Sequence, residues 1–200
     1  MPHPAEPRSD PRPRRRHGTL LAIARRFEQA KVLDRPAAAV ERCLPAVLTG
    51  EAGRSLLGGR WLGHSLHPLL TDFPLGFWAS ASWLDLVGGA PARPAARRLV
   101  ASGLVFAVPT AATGLSDWSR LSRTDQRVGL VHAQLNTLAA VLYGSSYLAR
   151  RRGSPVTATV LGVLGGLSAT AGGFFGGHLT LTRSVTRDNT LLPPDGGAGS

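Results

Sequence analysis

Four histidines and two aspartates are the residues of this 200-residue chain best suited to chemistry: His64, His67, His132, His178, Asp72 and Asp117. The other two histidines, His3 and His17, stand in the N-terminal segment. Imidazole is a common axial ligand of haem iron and an equally common ligand of zinc and non-haem iron. One reading pairs His132 with His178, or either with His67, across a b-type haem (haem b). Arg60, Arg120 and Arg127 then stand where they could meet the propionates. A second reading joins His67, His132 and His178 to Asp72 or Asp117 around zinc or iron, the carboxylate acting as ligand or general base. His64, three residues before His67, could join either site. The spacing matches no fixed metal motif such as His-Glu-x-x-His on one helix. In a third reading the cluster holds no cofactor and ties the helices of an accessory membrane subunit together. No single residue is marked as catalytic.

These residues sit in or beside stretches almost free of charge. Val128–Ala149, Ser154–Thr182 and Leu99–Ser116 contain no Asp, Glu, Lys or Arg, and Trp61–Leu84 contains only Asp72. A membrane-spanning helix needs about 20 mostly apolar residues, whereas a helix of a water-soluble domain keeps a polar face. The pattern predicts an all-α protein: a four-helix transmembrane bundle over residues 61–182, with spans Leu66–Gly88, Leu99–Leu115, Val128–Ala149 and Pro155–Leu179. The overall mean hydropathy of +0.02 hides this, because the charge is so unevenly distributed. With four spans, His64, His67, Asp117, His132 and His178 all fall near the membrane face that holds the N-terminus, here side A. His132, Asn136 and Tyr143 share a helical face, as do Thr110, Thr113 and Asp117. Asp85 lies near the opposite face, where Arg97, Arg98 or Arg150 could pair with it.

The rest of the chain frames this domain. Residues 1–18, with Arg12, Arg14, Arg15 and Arg16 among prolines, read as a disordered basic tail, and residues 183–200 as a second disordered tail. Between them, residues 19–48 read as two amphipathic helices broken near Asp34, Arg35 and Pro36, suited to a bilayer surface or to capping the bundle. Glycines 50, 53, 58, 59 and 63 suggest a flexible lead-in. A short loop carries Arg93, Arg97 and Arg98, and Gly165, Ala169, Gly173 and Gly177 form a close-packing stripe on the last helix. No internal repeat is evident. The net charge of +11 is almost all arginine, which beside a membrane favours anionic lipid. No nucleic-acid motif accompanies it, so no nucleic-acid partner is expected. Cys43 is the only cysteine, which excludes an internal disulfide or a CxxC site. No apolar signal run opens the chain, so the first span directs insertion, into the inner (plasma) membrane. The arginines of the two faces nearly balance. Both termini are placed in the cytoplasm because nothing marks the long basic N-terminal segment for export.

The run WLGHSLHP from Trp61 to Pro68, continued by LLTDFPLG to Gly76, resembles the hallmark of a bacterial family of predicted four-helix membrane proteins without an assigned function. TGLSDW from Thr113 to Trp118, RVGLVH from Arg127 to His132 and GGH ending at His178 resemble its other motifs, in the same order. The likeness extends over roughly residues 19–182, with Ser65 standing where the family usually has proline. Some relatives carry an attached Rieske-type iron–sulfur domain. The resemblance therefore implies a four-helix membrane architecture and redox surroundings, with an iron–sulfur protein as a possible redox partner. This chain has neither that domain nor the cysteines for it.

Overall fold

In the computed structural model, which describes residues 19–182, every regular element is helical. Four long helices form the body: α5 (Leu66–Val87), α6 (Gly89–Trp118), α7 (Arg123–Arg151) and α8 (Pro155–Gly177), the last ending in a π-helical turn at His178–Thr182. By length and composition, α6 and the stretch Pro155–Thr180 are apolar enough to cross a membrane. Local chemistry sets the boundaries. Gly89 takes φ +59° directly after α5, a conformation that costs glycine nothing. The expected loop around Arg93, Arg97 and Arg98 is therefore the first turns of α6. Ser122 caps α7: its hydroxyl accepts from the Asp125 amide at 3.2 Å. At the other end of α7, Gly153 (φ +74°) turns the chain and Pro155 opens α8 at a position that needs no N–H.

α5 and α6 form one tightly packed hairpin, and α7 and α8 a second. The two meet through α6 against α7 and α5 against α8. Contrary to the expectation from sequence, the hairpins repeat each other. His67, Trp78 and Asp85 of α5 lie opposite His132, Tyr143 and Arg150 of α7, each pair separated by 65 positions. Along α6 and α8 the matching residues are Ala96 and Ala158, Leu99 and Leu161, Gly103 and Gly165, Ala107 and Ala169, and Gly114 and Gly176. The internal geometry repeats too. Trp78 lies against Gly103 as Tyr143 lies against Gly165, and His67 against Gly114 as His132 against Gly176. Such pairing is that of two parallel repeats about an axis running along the bundle.

A cap of short elements covers the histidine end: α1 (Thr19–Gln29), α2 (Asp34–Cys43), α3 (Ala46–Thr49) and α4 (Glu51–Leu57), with 3-10 turns at Lys31–Leu33 and Arg60–Leu62. The break between the first two helices comes at Ala30–Leu33, earlier than expected, because Pro36 fits within the first turn of α2. The glycine-rich lead-in is helical over α3 and α4. Ala24 of α1 is fully buried among Val128, Val131, Phe175 and Leu179, and Ala37 of α2 packs with Trp118 and Leu130. Polar contacts fix the cap in place. Arg127 forks onto Asp34 at 2.7 and 2.9 Å and donates to the Glu28 carbonyl at 2.7 Å. The two tails expected from sequence lie outside the described residues.

The Arg127 guanidinium holds the Asp34 carboxyl below its ordinary value of 3.8. A carboxylate depressed in the folded state stabilises it above the unfolded value, and that contribution is lost as pH falls through the folded one. Amide protection across α1 and α2, taken against the intrinsic exchange rate at each pH, should therefore fall as pH drops below the ordinary carboxylate range. Asp34→Asn should exchange fast already at neutral pH. An α1–α2 exchange rate equal in wild type and variant at both pH values would contradict this role for the pair.

Candidate functional site

The centre of the bundle at its capped end is built around two imidazoles. His67 stands on the first turn of α5 and His132 in the third turn of α7, so both rings reach the common axis. Their centroids are 6.1 Å apart and their planes nearly perpendicular, at 86°. Each ring is pinned by the partner helix of its own hairpin. Nδ1 of His67 donates to the Thr110 carbonyl at 2.9 Å, and Nδ1 of His132 to the Gly172 carbonyl at 2.8 Å. A carbonyl can only accept, so the proton of each neutral ring is on Nδ1 and the lone pair on Nε2. This is the tautomer of a metal-ligating imidazole whose other nitrogen is held by the protein.

Glycine makes this seating possible. A Cβ at Gly114 would come within 2.8 Å of Cε1 of His67, and one at Gly176 within 2.8 Å of Cε1 of His132. Gly165, Gly172 and Gly176 receive the Tyr143, Asn136 and His132 side chains of α7, with Ala169 buried between them, while Gly173 and Gly177 of the expected stripe meet nothing. Around the rings, Thr71 donates to the His67 carbonyl at 2.8 Å and Asn136 to the His132 carbonyl at 2.9 Å. The Asn136 amide also lies 3.4 Å from Nε2 of His132. These two residues occupy equivalent places in the two repeats.

A cavity of about 930 Å³ surrounds the pair. Small residues make room beside the rings, including Ala107, Ala111, Gly114, Ala133 and Ala140. Trp78 forms its deepest wall, stacked on Tyr143 with centroids 4.3 Å apart. Polar residues line the outer part: Arg60, His64, Asp117 and Arg120. Asp117 accepts from Ser65 and from Arg120, both at 2.6 Å.

The sequence candidates thus divide. His67 and His132 meet at the axis, and His64 is exposed at the mouth. His178 turns the other way, its Nε2 meeting the Glu28 carboxylate of the cap at 2.8 Å. Asp117 belongs to the mouth network, while Asp72 is exposed on the outer face of α5. Among the described residues no three His, Cys, Asp or Glu side chains stand close enough to hold a metal ion together. Thr110 belongs to the polar face expected from sequence, whereas nothing in the local sequence pattern assigns Thr71, Gly114, Gly172 and Gly176 to the site. Their signal in the sequence is the recurrence of glycine and small residues in register with each histidine.

At the far end of the axis Arg150 forms a two-pronged pair with Asp85, one arm at 2.8 Å, both side chains under a tenth exposed. Of the three arginines considered for Asp85, this is the one that reaches it.

No curated protein and no solved structure matches the chain. One family does, over residues 63–189, which takes in all four long helices, His67 and His132, and His64, Asp117 and Arg120 of the cavity mouth. The chain belongs to that family, described as predicted membrane protein (DUF2231).

Proposed function

We propose that this is a four-span protein of the inner membrane that holds one b-type haem between His67 and His132 and passes electrons through it. The observation that carries the reading is the imidazole pair. Two rings that share one metal through Nε2, at about 2 Å each, have centroids about 6 Å apart, and these stand at 6.1 Å. Both rings keep their Nε2 lone pairs, and the small residues beside them leave space for a flat macrocycle. Arg60 and Arg120 at the mouth are the cations nearest to hand for its carboxylates. Haem supplies one-electron chemistry. His67 and His132 would together hold the group, and a haem held by two imidazoles would supply electron transfer and not oxygen activation. Zinc or non-haem iron is the less favoured occupant, since neither Asp72 nor Asp117 joins the two imidazoles. The redox partner expected from the family resemblance, an iron–sulfur protein, fits a carrier.

In this arrangement residues 61–182 form the membrane domain and residues 19–60 its cap. The helix ends nearest the histidines face the cytoplasm together with both termini. Protein purified in mild detergent from cells supplied with haem precursors and iron should show a Soret band that sharpens and shifts on reduction, with about one iron per chain. A colourless, iron-free protein would overturn the haem reading and leave the axial histidines as interhelical hydrogen-bonding groups of an accessory subunit.

The topology has its own test. In a Cys43→Ser background, cysteines near Arg93 and Arg151 should label from one face of the membrane. Cysteines near Arg123 and Arg187 should label from the other. Any other partition would sink the four-span arrangement.

A further inference from the structure

We infer that the His67–His132 site communicates with the capped end of the bundle alone, because the axis beneath it is closed by two successive plugs. The electron-transfer half of this inference rests on the haem reading; the access half does not. The cavity runs from Gly58, Arg60, His64 and Arg120 at the mouth down to Trp78 and no deeper. There the Trp78 and Tyr143 rings stack within 13° of parallel, 5% and 2% exposed. They are wedged between Gly103 and Gly165, where any side chain would collide with them. The Trp78 indole N–H is spent on the Val100 carbonyl. Below the stack, Ala81, Val100 and Ser146 are essentially without exposure, and the Ser146 hydroxyl donates to the Ala158 carbonyl at 2.6 Å. The Asp85–Arg150 pair then seals the far end.

From His67 to Asp85 the helix rises about 27 Å, close to the thickness of a bilayer's hydrocarbon core, about 30 Å. The site therefore lies near one face, and nearly the whole apolar layer separates it from the other. Water, ions and a redox partner reach it through the polar mouth. On the opposite side a packed aromatic layer and a buried ion pair stand between the site and solvent, and electron tunnelling through that thickness is slow.

The test uses the full chain in liposomes, with orientation assayed by protease. Ala111→Cys in a Cys43→Ser background places a thiol on the cavity wall. A membrane-impermeant methanethiosulfonate should modify it at least tenfold faster from the capped end than from the other. Modification at equal rates from both ends, faster modification from the far end, or none from either end would overturn the inference. In haem-loaded protein, external ferricyanide should oxidise quickly only the fraction whose capped end faces outward. Fast oxidation of the whole population would overturn the electron half. Absence of any Soret band would instead count against the haem reading, while the thiol rates still decide access. Tyr143→Ala, which removes one ring of the stack, should narrow the difference between the two ends. If that variant fails to fold, the thiol rates with the stack intact remain decisive.

Discussion

If His67 and His132 hold a haem as proposed, replacing either with alanine should strip it from a protein that still folds. His67→Ala and His132→Ala should each lose the Soret band of the purified protein. The cause is that the proposed binding would need both imidazoles, and either variant leaves only one of the pair. His64→Ala should keep its pigment, because that ring lies at the mouth. His178→Ala should keep it too, since its imidazole is turned to Glu28; the change should loosen α1 instead. Asn136→Ala leaves both ligands and removes a neighbour of His132. Loss of such supporting groups lowers affinity by about 10–100-fold, so this variant should load partially and titrate with a weaker dissociation constant. The discriminating measurement is haem retained per chain after gel filtration. Pigment lost in His178→Ala but kept in His67→Ala would return the ligand pair to His132 and His178.

The second large effect lies at the far end. Asp85→Asn leaves the Arg150 cation buried without its counter-charge, and breaking a buried pair in this way costs about 3–5 kcal/mol. Arg150→Leu leaves the converse defect and should cost as much. Because positions 85 and 150 are equivalent in the two repeats, the exchange Asp85→Arg with Arg150→Asp should recover most of the loss. The readout is the midpoint of thermal unfolding in detergent, followed for both single variants and the exchange. An exchange variant no more stable than Asp85→Asn would show that the repeats are not interchangeable at this layer.

Much of this architecture is legible along the chain, and the exceptions have physical causes. Charge-free runs reveal long helices because a charged side chain has few comfortable places on them. Gathering histidines at one end needs only a count of helices. Arg150 was within reach because it stands at the end of its own charge-free run. The repeat was not visible, since the two hairpins agree only where their helices touch, every third or fourth residue, and differ wherever they face outward. The small-residue stripe drifted by one position because a spacing of four overshoots the 3.6-residue turn. Steps of three and four give Gly165, Ala169, Gly172 and Gly176 instead. Asp72 was expected inward, yet it lies five residues from His67, about 140° round the helix at 100° per residue, and so points away from the axis. The direction of His178 depends on Glu28 of α1, a contact across 150 positions that no local pattern encodes.

The complementary charges at positions 85 and 150 also bear on how the protein is made. Synthesis delivers the first hairpin before Arg150 exists, so in the proposed four-span arrangement Asp85 would enter the bilayer without its cation. Two nascent first hairpins that met face to face would set carboxylate against carboxylate, and two second hairpins would set guanidinium against guanidinium. Only a first half with a second half satisfies the layer. In that arrangement the pair would favour completion of each chain upon itself over the exchange of halves between neighbours in a crowded membrane.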